Sequence, residues 1–493
     1  MILSEGYPKN RRMSIVGKST PRSRRVAVRN RNGGLFSWLT ILLAAIVLTY
    51  VLVQGFSEGH IRHSGIVVFT FLLNACYSLV LLKKQCDEMP FTLKQVHWVF
   101  FYTYFCVTPL SQYLLGQWPW GVMAADAQVL FVNLVLFVWA VLFTVLSGSN
   151  SPFRDKEVQA YNFEVNLSQS AATVLCACSV GATLLLAALV GPSHLFLRTE
   201  SSVDMGNTST TMLVNVLLRG WVFGSFAGIL VNYTRHKNHR LTLALSGLCV
   251  LISCFPTAMA RFNVAAVYLG IFIIGFQSFT TKKGLFAFFL LVGFLLAYPF
   301  FNAFKYLESG TQSSLISLVE SSFASGFLSG NYDAYSTFFW VTNYCCDVSI
   351  TYGRQLLGAL LFFIPRAIWP TKPVPSGQMI FEYYGRAFTD IACSLPAEGY
   401  LNFGIFGVFL FAIVFALLVR KIDGGYWMTR IRADYMPLKT INLYYPFLLS
   451  LVFYLLRGAL MTTMTFVIGY LVAFACVVAV IRLFERYQGL PGR

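Results

Sequence analysis

The sequence predicts an all-α polytopic membrane protein, and three observations carry that prediction. Of its 493 residues, 57% are hydrophobic. Charged residues make up 12%, about half the roughly 25% of an ordinary soluble domain. A soluble fold of this length could not hide so much apolar surface. The apolar runs are also continuous. Strands of a membrane barrel alternate apolar and polar residues, whereas spanning helices do not. These features exclude a soluble enzyme, a coiled coil and a disordered regulator.

The elements follow in order. Residues 1–34 hold nine Lys and Arg between Lys9 and Arg31 and few apolar residues. They read as a disordered basic tail on the cytoplasmic side, too long and too basic for a signal peptide. Residues 35–304 hold nine predicted spans: 35–56, 64–82, 96–116, 125–147, 169–190, 209–233, 241–256, 262–279 and 285–303. The seventh and eighth form a tight hairpin at Pro256–Arg261. Residues 305–397 form one large loop, expected on the periplasmic side. Residues 398–482 hold the last three spans, 399–419, 441–460 and 463–481, and 483–493 are a cytoplasmic terminus. The fold class is thus about 12 transmembrane helices, with no internal repeat.

Charge orients the chain. The net charge is +17, which in a soluble protein would suggest nucleic acid. Here most Lys and Arg fall in the tail and in alternate short loops, as the positive-inside rule requires when both termini are cytoplasmic. Lipid, not nucleic acid, is the expected neighbour of those charges. If 335–352 were a span, the last three would flip and Arg420, Lys421, Arg430, Arg432 and Lys439 would lie outside. The run Leu356–Ile364 is too short to cross and is expected as an interfacial or re-entrant segment.

Ten cations remain outside or within the membrane, and several could do chemistry. Arg219 interrupts the run Leu213–Ala227, Arg457 ends Phe453–Leu456, and Arg261 closes an outer turn. A charge within a span is costly and has a partner or a task; snorkelling to headgroups is the plain alternative. The loop adds Arg354, Arg366, Lys372 and Arg386. Pro365, Pro370, Pro373 and Pro375 hold a rigid, non-helical backbone, which would set Arg366 and Lys372 beside Trp369. Converging cations suit a phosphate or diphosphate; contact with lipid headgroups is the plainer reading. Glu398 stands where the loop returns to the membrane. A partly desolvated carboxylate there suits a base for a sugar hydroxyl, or an ion pair with one of the arginines. No paired aspartates, Cys/His cluster or nucleotide loop occurs, so neither metal nor cofactor is expected. Most of the 11 Cys lie in apolar runs. Cys345, Cys346 and Cys393 share the loop and would pair only in an oxidising space.

The segment Gly353–Pro373, with its Arg…Ile-Pro-Arg…Trp-Pro-x-Lys-Pro text, resembles the large-loop signature of the Wzy-type O-antigen and capsule repeat-unit polymerases. So does Ala397-Glu398-Gly399-Tyr400-Leu401-Asn402-Phe403-Gly404. Arg366 and Gly377 match the Arg-x10-Gly spacing that describes some members. The resemblance covers about fifty residues; elsewhere only the topology matches. It implies a metal-free, GT-C-like glycosyltransferase of the bacterial inner membrane. Such an enzyme moves a chain from undecaprenyl diphosphate onto a new undecaprenyl-diphosphate-linked oligosaccharide unit, with inversion expected from a single displacement. By that analogy Arg366 and Arg261, with Arg354, Lys372, Arg457 and Arg219, bind the donor. Glu398 orients or deprotonates the acceptor, and Tyr400 contacts substrate. The implied partners are the lipid-linked oligosaccharide, the bilayer and, as an option, a chain-length regulator protein. An O-antigen ligase is a rival, although no His lies in 305–397. A lipid-linked oligosaccharide flippase or exporter is a rival of another class, but it would not need so large a loop and more often shows two similar halves.

Overall fold

The computed structural model describes residues 33–58, 63–148, 163–164, 167–196, 209–276, 281–299, 326–388, 391–432 and 436–487. Helices dominate: α1 Gly33–Glu58, α2 Gly65–Glu88, α3 Leu93–Tyr102, α4 Thr108–Leu114, α5 Asp126–Ser147, α6 Gln169–Val190, α7 Ser209–His236, α8 Arg240–Ser253, α9 Arg261–Gly275, α10 Leu285–Val292, α11 Ser336–Asp347, α12 Arg354–Leu360, α13 Ser376–Tyr383, α14 Leu395–Arg432, α15 Thr440–Arg457 and α16 Leu460–Tyr487. A two-residue parallel pairing joins Phe163–Glu164 to Met436–Pro437.

Among the described residues, eight helices are long and apolar enough to cross a membrane: α1, α2, α5, α6, most of α7, α14, α15 and α16. The other four predicted spans fall on α3 with α4, and on the shorter α8, α9 and α10. Between α3 and α4 the ladder widens to a π turn, Thr103–Val107. Pro109, which cannot donate a backbone bond, stands two residues after it. A second π turn, Gly293–Ala297, extends α10. The two face one another across α15: Tyr104 lies 5.4 Å from the Phe453 ring, and Phe294 stacks on it at 4.1 Å.

α7 lies along α16 through Gly220, Gly224 and Gly228, one turn apart. A Cβ on Gly220 would come within 2.8 Å of Ala473, and one on Gly224 within 3.2 Å of Phe474. Small residues at this spacing let membrane helices approach where no hydrophobic effect drives them together.

The loop departs from its expected surface position. α11 is only 12 residues long, about 18 Å, too short to span. Yet Ser336–Thr342 are all buried. The hydroxyl of Tyr335, just before it, donates to Val129 O and Asn133 Oδ1 on α5, and Gln128 of α5 donates to Thr342 and Asn343. This half of the loop re-enters the bundle. Its aromatic run Phe338-Phe339-Trp340 gains more from packing than from lying on a wet surface. The segment 361–375 is non-helical, as its prolines require.

α14 begins at Leu395, so Glu398 sits in its first turn rather than in the loop. The helix breaks at Phe403–Gly404, where Gly404 has φ 62° and ψ −149°, a region open only to glycine. Gly399 and Gly407 close the break: a Cβ on Gly407 would sit 1.9 Å from the Gly399 carbonyl oxygen. The glycines of the Glu398–Gly404 text are therefore demanded by this fold-back.

Candidate anion site at the loop end of the bundle

An open cleft of about 620 Å³ lies between the end of α11, the start of α12 and the proline-rich turns, with Met379 of α13 on its wall. Arg354 and Lys372 supply its cations. Tyr344, Ser349, Thr351, Gln355 and Thr371 supply polar groups, and among the described residues no carboxylate lines it. Thr351 is set by Leu401: its N–H and hydroxyl both donate to the Leu401 carbonyl, at 2.8 and 3.1 Å. Gly353, at φ 82°, turns the chain into α12 and delivers Arg354 to the rim.

The cations of the proline segment first build their own platform. Arg366 donates to the Lys372 and Pro373 carbonyls at 2.8 and 3.2 Å. Lys372 Nζ donates to Phe362 O and Ile364 O at 2.5 and 2.9 Å. Arg354 donates to Thr371 O at 3.1 Å. The turns are thus held by charge-assisted bonds, and the exposed Arg354 keeps further donors for a ligand. Burial, then the neighbouring Arg366 charge, lower the pKa of Lys372 below the ordinary lysine value. Gly377, of the Arg-x10-Gly spacing, is a packing residue: a Cβ there would meet the Ile391 carbonyl oxygen at 2.3 Å.

Glu398 lies behind the cleft and is 1% exposed. Its two oxygens accept from Ser376 Oγ and from the Leu460 N–H, each at 2.8 Å. Leu460 is the first residue of α16, so the carboxylate caps that helix where its N–H groups lack partners. Ser376 opens α13, whose Met379 lines the cleft. Glu398 therefore ties a loop helix to two spanning helices. Enclosed in this way, it is not on the cleft wall and reaches it only through α13. The expected ion pair with an arginine is replaced by these two bonds.

The remaining predicted residues are placed elsewhere. Arg457 pairs with Asp333 at 2.9 Å and donates to Gly330 O at 3.0 Å. Asp333, 1% exposed, also accepts from Trp120 Nε1 at 2.9 Å. Arg261 lies 5.1 Å from the Tyr298 ring centre. Arg457 thus bonds to Asp333 and Gly330, whereas Arg354 and Arg366 bond to carbonyls of the proline turns. Arg219 donates to Ser253 O at 3.1 Å, capping the C-terminus of α8, where a cation is favoured. Tyr400 packs against Phe131 and Phe338 with ring centres 6.0 and 5.7 Å away, and it is not part of the cleft wall.

Cys345, Cys346 and Cys393 are free thiols. Among the described residues no three His, Cys, Asp or Glu side chains converge as metal ligands. Sequence reasoning overlooked Ser376, Thr351 and Met379. Their only sequence signal is nearness to prolines and to Arg354, because pairing across tens of residues leaves no local pattern. No protein-family model, curated protein or solved structure matches the chain.

Proposed function

We propose that this membrane protein is a glycosyltransferase that joins polyprenyl-diphosphate-linked oligosaccharide units on the loop side of the bilayer. That side is read as the periplasmic face of a bacterial inner membrane, with twelve spans and both termini in the cytoplasm. The observation that carries the reading is the cleft at the loop end of the bundle. It pairs Arg354 and Lys372 with hydroxyl and amide groups, and among the described residues no carboxylate stands on its wall. A diphosphate leaving group suits the two cations, which offset charge as the glycosidic bond breaks. Ser349, Thr351, Thr371 and Tyr344 offer donors and acceptors to sugar hydroxyls. The resemblance of Gly353–Pro373 and Ala397–Gly404 to Wzy-type polymerases points the same way.

In this reaction the acceptor hydroxyl oxygen bonds to the donor's anomeric carbon. The bond from that carbon to the diphosphate oxygen breaks, and its electron pair leaves with the polyprenyl diphosphate. The hydroxyl proton passes to solvent. Arg354 binds the diphosphate, Lys372 adds its charge to the cleft wall while it and Arg366 hold the proline turns, and Glu398 positions α13 against α16.

The test uses purified protein in liposomes with a polyprenyl-diphosphate-linked oligosaccharide, without ATP or nucleotide sugar. The expected product is a ladder spaced by one repeat unit. Arg354→Ala should slow it by about 10²-fold, the typical loss of one charge-stabilising donor. An unchanged ladder in that variant removes the cleft from the reaction. Transfer of the unit across a sealed bilayer without a ladder replaces the enzyme by a transporter.

A further inference from the structure

The proline-rich arm beside the cleft exposes a row of large apolar side chains. Leu357 and Leu360, three residues apart, share one face of α12, and Phe363 and Ile368 continue the row; Ile368 is 77% exposed. The opposite face of α12 is packed. Gln355, Gly358 and Ala359 are buried, and a Cβ on Gly358 would lie 2.6 Å from Pro373 and 2.8 Å from Met461. The exposed row is therefore one side of an ordered element rather than frayed chain.

Depth follows from the helix that α12 rests on. α16 carries no charged residue from Leu460 to Ile481, and the first charge is Arg482. That stretch of about 22 residues is roughly 33 Å long, close to the roughly 30 Å of a hydrocarbon core. Met461, its second residue, thus stands at the loop-side boundary of the hydrocarbon, and α12 stands there with it. The row continues the lipid-facing surface of the bundle at the level of glycerol and headgroups. Exposed Arg354 and Arg366 border it, as cations do where an apolar face meets anionic headgroups.

We propose that Leu357, Leu360, Phe363 and Ile368 form a foot that sits in the loop-side leaflet, with an anionic phospholipid surface as its partner. The foot holds the mouth of the cleft at headgroup height. This does not depend on the chemistry proposed for the cleft, and the test reads no catalysis.

Full-length protein is reconstituted in vesicles of equal parts phosphatidylglycerol and phosphatidylethanolamine. Phe363→Trp and Ile368→Trp each add one reporter, and the added emission is taken by difference from the unsubstituted protein. Val472→Trp, at an exposed position within α16, gives the response of a lipid-facing site. The added emission at 363 and 368 should be blue-shifted and lost when the vesicles contain lipids brominated near the carbonyl end of the acyl chain. Aqueous iodide should leave it largely intact. Emission quenched by iodide but not by brominated lipid would place the row in water and overturn the foot. Emission that neither reagent reaches would mean that protein, such as a second copy of the chain, covers the row, which also overturns it. If one variant fails to fold, the other carries the same test.

Discussion

At one end of α14 the buried carboxylate of Glu398 accepts the Leu460 N–H at the head of α16. At the other end Asp423, 2% exposed, accepts the Leu93 and Lys94 N–H groups at the head of α3, at 3.0 and 3.3 Å. Each carboxylate caps a different helix and takes one hydroxyl: Ser376 for Glu398, Tyr445 for Asp423. The difference lies in where that hydroxyl comes from. Tyr445 belongs to spanning helix α15, so the Asp423 node locks the bundle to itself. Ser376 belongs to a loop helix that also helps wall the cleft. A buried acid near a membrane surface is therefore not by itself a sign of acid–base chemistry. Its partners decide whether it holds the frame or sets the position of a site.

That contrast can be broken experimentally. The largest effect is expected at Asp423→Ala, which strands two helix-terminal N–H groups and a tyrosine hydroxyl. A loss of about 3–5 kcal/mol follows if each buried group forfeits its partner. Thermal unfolding in detergent would measure it, and a wild-type transition would remove Asp423 from the frame. Glu398→Ala should cost less, about 2–3 kcal/mol, because it strands one backbone N–H and one hydroxyl. Its mark should be faster proteolysis within 361–388, together with a smaller shift of the bundle transition than Asp423→Ala gives.

A sharper form is Glu398→Gln. The amide can still accept from Leu460 and can donate to Ser376 Oγ, so a positional role predicts chain extension within a few-fold of normal. A loss of about 10²–10⁴-fold, the scale of a missing general base, would make the carboxylate chemical instead. Below these come the hydroxyls. Ser376→Ala and Tyr445→Phe should each cost about 1 kcal/mol, one hydrogen bond. Only Ser376→Ala should also weaken pyrophosphate binding, read by calorimetry.

The smallest effect is a pH response. Because burial lowers the pKa of Lys372, its ammonium loses its proton at a lower pH than a free lysine. A neutral amine attracts an anion less. Pyrophosphate affinity should therefore fall as pH rises toward the ordinary lysine range, and Lys372→Arg should flatten that fall. Equal pH profiles for the two proteins would take Lys372 out of the anion site.

Composition and run length determine the membrane class, the helical content and the approximate position of each helix, because the bilayer accepts few other solutions for long apolar segments. The prolines between Pro365 and Pro375 likewise determine a non-helical arm from local sterics alone. Gly399 and Gly404 are readable as part of a motif but not as a fold-back onto Gly407, since the need for these glycines arises only when two backbones meet. The re-entry of Ser336–Thr342 turned on partners supplied by α5, some two hundred residues away. Tertiary structure also decided the assignments of charge. Arg219 became a helix cap, Arg457 the partner of Asp333, and Glu398 a link between α13, α14 and α16. A charged side chain in a membrane protein takes its role from whichever group satisfies it, and that group is chosen by packing rather than by neighbours in sequence.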